Sequence, residues 1–303
     1  MNKLIVLLVL IVLSACSHRS DGLPSDVLLK IRINGVAHEA EMDLDYVDGV
    51  AIITSAQIEE ELDIISKRNS LSYIDRKKVQ IDIPDLNKVI TFSSFNQGKE
   101  RLISHYALGF ADASRYKKSS FQFLGTTFNL VTKNDSPINH ASFKTSIYKI
   151  WSVFIDRLGT SSDVLTFIEY KREPKSDLPL GENFLPITND DSLIRLLTYT
   201  YFGYGQTREK VKNEKEFWFS KAMSAFYDVE ITRLITRRNI PVRDPNFPFL
   251  KKMESGLGPV TFNRAVKKYL FECTECTAGY KDFRKYLMTN RWQTLKVERE
   301  FYK

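Results

Sequence analysis

Phe217-Trp-Phe-Ser-Lys-Ala-Met-Ser-Ala-Phe-Tyr-Asp228 is the stretch on which the fold turns. Phe217, Trp218, Ala222, Ala225, Phe226 and Tyr227 recur at helical spacing, as the core stripe of a buried helix does. The surrounding pattern predicts a long helix over Lys215 to Arg238, with Arg237 and Arg238 in its last turn, where the helix dipole favours cations. One residue in the middle of this apolar stretch is out of character. Lys221 carries an ammonium with three donors and no lone pair, so it cannot bind a metal ion while protonated.

Working outward, the other C-terminal segments read as helices at Asp191 to Tyr201, Phe247 to Ser255, Pro259 to Phe271 and Gly279 to Thr289. Upstream, Phe143, Ile147, Ile150, Trp151 and Phe154 share a helical face, and that helix stops near Leu158-Gly159. A strand follows over Asp163 to Tyr170, then a loop with Pro and charge that leads to Gly181-Glu182-Asn183. Lys133-Asn-Asp-Ser-Pro137 is a cluster of turn formers and marks the expected domain boundary.

Before that boundary the period is two. Val27 to Ile33 and Val36 to Leu44 flank Asn34-Gly35, and Asn-Gly between two such runs signals a type I′ hairpin because both turn residues need positive φ. Val79 to Ile83, Val89 to Ser93 and Phe121 to Val131 are further strand candidates, and Ala56 to Ser66 suits a short helix. The chain therefore reads as α+β: a β-rich domain over residues 27–135, then a mainly helical domain over 136–303.

The N-terminus speaks to location. Met1-Asn-Lys3 is a basic start, and Leu4 to Leu13 is an apolar run too short to span a bilayer. Leu13-Ser-Ala-Cys16 matches a bacterial lipobox, so residues 1–15 are expected to be a signal peptide and Cys16 the lipidated first residue of the mature chain. Residues 16–26 would be a tether, and Ser17 resembles lipoproteins sent to the outer membrane of a Gram-negative cell. Such a chain is anchored to the membrane by lipid and does not span it. The 44 Lys and Arg outnumber 37 Asp and Glu, a formal net charge of +7. That balance suits acidic envelope surfaces or a plain solvated surface. No nucleic-acid motif is present, and no nucleic-acid partner is expected.

The remaining cysteines, Cys273 and Cys276, are spaced C-x-x-C. Two thiols cannot complete a structural zinc site, and the four histidines show no ligand spacing. In an oxidising compartment a local disulfide is the simplest fate, with free thiols, or redox or metal chemistry, as alternatives. His38-Glu39 has no second His at a metal-binding interval, and His105 and His140 stand alone. No G-x-S-x-G elbow or phosphate loop occurs.

The order of features after residue 140 resembles the gluzincin aminopeptidases, the leucyl- and glycyl-aminopeptidase-like zinc peptidases. Their helix ending in Leu-Gly, strand, edge segment, H-E-x-x-H helix, W-x-x-E-G helix and later Leu-Gly-x-x-x-Phe segment resemble six pieces here. Those pieces are Leu158-Gly159, Val164 to Tyr170, Gly181-Glu182-Asn183, Leu193 to Phe202, Phe217 to Asp228 and Leu257 to Phe262. The resemblance covers about residues 140 to 290, specific in order and weak in identity. It implies that Lys221 stands where the third zinc ligand would be. Family spacing puts Thr198-Tyr-Thr-Tyr-Phe202 on the H-E-x-x-H segment. Thr198 and Phe202 then replace the two His ligands and Tyr199 the general base, and neither a phenyl ring nor a phenol of pKa near 10 does that work. Glu182 would stand near the substrate amine, although its spacing to residue 198 is shorter than usual.

The resemblance thus implies a peptidase-like domain without zinc chemistry, a lipoprotein of the cell envelope that holds a peptide or protein partner without cutting it. Thr198, Tyr199, Phe202, Lys221 and Glu182 are its candidate cleft residues, with no catalytic residue and no cofactor expected. Two other readings remain open: an envelope hydrolase or transferase using non-zinc chemistry, and a structural component docked through its basic face or the aromatic tail of Trp292, Phe301 and Tyr302.

Overall fold

The computed structural model describes residues 22–74, 79–83, 86–93, 107–159, 164–169, 184–187, 192–199, 202, 217–242, 244–272, 279–287, 294–296, 298 and 299. The architecture is α+β, and contacts divide the chain into two compact units.

The first unit opens with β1 (Asp26–Ile33) and β2 (Val36–Asp43), paired antiparallel with Ile33 opposite Val36. Asn34 and Gly35 both take positive φ, 50° and 85°, as the Asn-Gly turn requires. β4 (Gln80–Asp82) adds to the free side of β1, giving the order β2-β1-β4. A second antiparallel sheet has the order β3-β6-β5, from β3 (Val50–Ile53), β5 (Val89–Ser93) and β6 (Leu108–Asp112). Sequence pattern missed β3 and β6. Every residue of both is buried, so neither shows the alternation that marks a half-exposed strand.

Helix α1 (Ser55–Arg68) starts from a capping box: Thr54 Oγ1 accepts from the Gln57 amide, and Gln57 Oε1 accepts from the Thr54 amide at 2.9 Å. Lys67 and Arg68 occupy its last turn.

The second unit is built on a sheet of order β10-β9-β8-β7, from β7 (Tyr116–Phe123), β8 (Thr126–Lys133), β9 (Val164–Glu169) and β10 (Phe184–Ile187). The Phe121 to Val131 run is therefore two arms joined by Leu124-Gly125, both at positive φ. β8, β9 and β10 are parallel, so β8 and β9 need a crossover, supplied by α2 (His140–Leu158). This pairing explains why the compact units divide within β7, between Lys117 and Lys118, and not at the 133–137 turn cluster. Strands that read as part of a β-rich domain are hydrogen-bonded into the sheet of the helical one.

α2 begins at Asn139, whose side chain accepts from the Ser142 amide, and ends at Gly159 with φ 61°. Its first residue, His140, sits 3.0 Å from both Ser119 Oγ and Thr132 Oγ1, tying the helix start to β7 and β8. Phe128 meets Trp151 edge-on at 5.3 Å, and Phe143 meets Phe167 at 5.0 Å, which seats α2 on the sheet.

The remaining helices are α3 (Leu193–Tyr199), α4 (Phe217–Thr236), α5 (Phe247–Leu257), α6 (Pro259–Glu272) and α7 (Tyr280–Leu287). α4 buries Phe219, Ala222, Met223, Phe226, Tyr227 and Ile231 and so runs through the core. It ends at Thr236; Arg237 takes φ 57° and lies, with Arg238, just past the last turn. Around it Phe219 packs on Phe283 at 5.1 Å, and Phe226 on Phe262 at 5.4 Å.

Candidate functional site

Thr198 and Tyr199 lie on α3 and Lys221 on α4, two helices that pack against each other. Arg195 of α3 reaches Asp228 of α4 with Nε 3.4 Å from Oδ2. Tyr199 lies one turn along α3 from Arg195, and Lys221 lies two turns back from Asp228, so both project from the faces this ion pair marks. Tyr199 is 42% exposed and Lys221 is exposed.

Thr198 and Phe202 are placed differently. Thr198 is fully buried, and its hydroxyl donates to the Arg195 carbonyl of its own helix at 3.0 Å. Phe202 is buried and stacks on Tyr227, with ring centroids 5.2 Å apart and planes within 5°. These two side chains are part of the packed core and do not line an open cleft. Of the expected set, Tyr199 and Lys221 alone are both described and exposed. Glu182, Cys16, Cys273 and Cys276 lie outside the described residues.

Below the Phe202 ring, Tyr227 donates its hydroxyl to Asn263 Oδ1 at 2.8 Å. Burial pushes this phenol well above its usual pKa, Glu254 and Glu230 push the same way, and Arg157 opposes them. Those two glutamates are joined by Lys251, whose Nζ lies 2.9 Å from Glu230 Oε1 and 2.7 Å from Glu254 Oε2. Burial acts to lower the Lys251 pKa, but the hydrogen bonds to Glu254 and Glu230 outweigh it and leave it raised. The neighbourhood is thus a neutral phenol, a carboxamide and a compensated ion cluster. Among the described residues, no group of three or more His, Cys, Asp or Glu side chains is arranged to hold a metal ion.

Sequence reasoning missed a cleft in the first unit, of about 480 Å³, lined by Lys30, His38, Glu39, Ile65, Arg68 and Asn69. His38-Glu39 stood out in the sequence, but their companions come from α1 and β1, and no local motif links the three elements. Among the described residues, no helix is long and apolar enough to cross a membrane.

No family model and no curated protein matches this chain. Among solved structures it is similar to an M1 zinc metallopeptidase from Deinococcus radiodurans, with TM-score 0.49 and 11% identity over 70% of this chain and 60% of that one. It is also similar to a two-domain M1 zinc metallopeptidase mutant bound to L-tryptophan, with TM-score 0.47 and 9% identity over 67% of this chain and 58% of that one. The chain spans about three fifths of the length of these structures.

Proposed function

We propose that this protein is a non-catalytic, peptidase-like lipoprotein of the cell envelope that holds a peptide or protein partner at the α3–α4 seam. The supporting observation is the fate of the two positions that the sequence resemblance aligns with zinc-binding histidines. Thr198 spends its hydroxyl on its own helix, and Phe202 is stacked into the core on Tyr227. Rebuilding a metal site there would mean dismantling packing, so the residues serve the fold.

What stays accessible suits holding. Tyr199 offers an aromatic face and a hydroxyl, and Lys221 a cation, on the exposed side of the same helix pair. Aromatic and cationic side chains together match an extended peptide with an acidic group or a free carboxylate. Anchoring through Cys16 would keep this surface at the membrane.

Two measurements test the reading. Metal analysis of the purified protein is expected to find no stoichiometric zinc; one zinc per chain overturns it. Binding to an acidic peptide library is expected to weaken at least tenfold in Lys221→Ala and Tyr199→Ala. Unchanged binding in both variants places the partner elsewhere and removes the proposal for the seam.

A further inference from the structure

The sheet of the second unit ends in an edge that the α3–α4 reading leaves unused. In the order β10-β9-β8-β7, β7 is paired on one side only, by β8. Leu124 and Gly125, at φ 47° and 82°, make the two-residue turn between them. Ser120 Oγ donates to Asn129 Oδ1 at 2.7 Å and the Phe121 ring stacks on Phe128, so Phe123 stands opposite Thr126. Such a closing pair is hydrogen-bonded, and successive residues of a strand turn their N–H and C=O to opposite sides. Phe121 and Phe123 therefore face β8 with their backbone groups, and Ser120 and Gln122 turn theirs outward. Among the described residues, no hydrogen bond is formed to these outward groups.

Two features make this edge a surface for a partner. First, the devices that usually close a sheet edge are missing from Ser119 to Leu124. The stretch has no charge and no proline, and the hairpin register runs through it without a bulge. Ser120 and Gln122 are exposed, and Leu124 at the tip is 55% exposed. Second, the α2 side of the edge is an aromatic shelf with a cation on it. Phe121 and Phe123, both half-buried, meet Tyr148 at 5.8 and 4.3 Å. Lys144 Nζ lies 5.4 Å from the Phe121 ring centre and 5.6 Å from that of Tyr148, and it forms no ion pair among the described residues. Residues 118–155 hold four lysines and a single acid, Asp135, which follows β8 at the end of the hairpin away from Leu124.

We propose that the outer edge of β7 takes up an extended acidic peptide as an added strand, with Ser120 and Gln122 supplying the backbone hydrogen bonds. A strand is the ligand that matches N–H and C=O groups repeating at this interval along an edge. On the α2 side, the peptide's alternate side chains fall against Phe121, Phe123 and Tyr148, and a carboxylate among them reaches Lys144. A second copy of this chain suits the edge less well. Pairing Ser120 of one copy with Gln122 of the other sets Phe121 opposite Phe121, and the two Lys144 ammonium groups then repel. The surface is built from β7 and α2, not from α3 and α4, and it does not rest on the seam reading.

The test titrates the full chain with acetyl-Thr-Val-Thr-Glu-Thr-Val-Thr-amide, whose two Val and one Glu share a face of the strand, and reads hydrogen exchange at the Ser120 and Gln122 amides. Saturable binding that slows exchange at both is expected, a sign of backbone pairing that side-chain contact alone would not give. Lys144→Glu should weaken binding about tenfold, and the same peptide with Lys in place of Glu should recover it on that variant. Lys144 is exposed, so the variant should keep its fold, and circular dichroism checks that it does. Tyr199→Ala and Lys221→Ala should leave the affinity unchanged. No saturable binding, no protection of the two amides, or an affinity that Lys144→Glu leaves unaltered overturns the site. Binding lost in Lys221→Ala assigns the peptide to the α3–α4 seam and also overturns it. Protection that rises with protein concentration in the absence of peptide puts a second copy at the edge and overturns the peptide as its occupant.

Discussion

The Phe202 ring lies flat against the Tyr227 ring, with centroids 5.2 Å apart and planes within 5°. Tyr227 in turn meets Phe226 edge-on at 5.2 Å, so Phe202 closes an aromatic stack that begins on α4. A residue held this way contributes by burial. Phe202→Ala should therefore cost about 3–5 kcal/mol, the usual range for emptying a buried phenyl site. Urea unfolding monitored by circular dichroism measures it. A loss below about 1 kcal/mol would mean that the position tolerates an opening, and the core assignment would be wrong.

Two tyrosines predict opposite mutational effects at neutral pH and the same response to alkali. Tyr227→Phe leaves the buried Asn263 carbonyl without its 2.8 Å donor and should cost about 1–3 kcal/mol. Tyr46 has a buried hydroxyl with no hydrogen-bond partner among the described residues, so Tyr46→Phe should be neutral or stabilising. Burial, and then the Asp112 charge, push the Tyr46 pKa up to about 12, and burial raises that of Tyr227 well above its ordinary value. The folded state thus keeps both phenols protonated where the unfolded chain, at about pH 10, begins to lose them. Their stabilisation is complete below pH 10 and is lost as pH rises toward the folded values. Alkaline unfolding curves should flatten between pH 10 and 12 in Tyr46→Phe; a curve identical to the parent's refutes the shift.

How much of this could be read in the sequence depended on which periodicity survived. α2, α4, α5, α6 and the β1–β2 hairpin came through because helical faces, Asn34-Gly35 and Gly159 act locally. β3 and β6 did not, since a strand buried on both faces loses its alternation. The affiliation of β8 was equally hidden, because its parallel partner β9 lies beyond the whole of α2. For the candidate site, the family resemblance singled out Thr198, Tyr199, Phe202 and Lys221, in and just after α3 and on α4. Only packing separated the two buried side chains from the two exposed ones, and residue type would not have done so, since a threonine is among the buried pair.

Gly109 stands opposite Phe92 in the β5–β6 ladder, and the Phe92 ring occupies the space a side chain would need. A Cβ on residue 109 would sit 1.8 Å from Phe92 Cε2, well inside van der Waals contact. Gly109→Ala should then destabilise by about 1–3 kcal/mol or more, through overpacking. The cause is separable by a double-mutant cycle. In a Phe92→Ala background the same glycine substitution should cost much less, a coupling of at least about 1 kcal/mol. Additive costs would assign the effect to backbone conformation and not to the ring.

Glu298 fastens the C-terminal segment to α7. Arg284 donates to it from Nε at 2.6 Å and Nη2 at 2.9 Å, and the Tyr280 hydroxyl donates at 2.5 Å. The same segment buries Thr294, whose hydroxyl donates to Leu287 O at 3.3 Å. Burial of Glu298 favours its neutral form, but the hydrogen bonds from Arg284 and Tyr280 and the guanidinium charge prevail and hold its pKa below the ordinary value. Its contribution is therefore present above the unfolded glutamate pKa, about 4.3, and is lost as pH falls through the lower folded value. Hydrogen exchange of the Thr294 and Glu298 amides should be slow at pH 7 and accelerate relative to α4 as the solution is acidified. Glu298→Gln, which keeps the shape and loses the charge, should show the faster exchange already at pH 7 with little further change on acidification. Parent-like protection in that variant would mean that Thr294 burial alone holds the segment and that the Arg284 fork adds nothing to it.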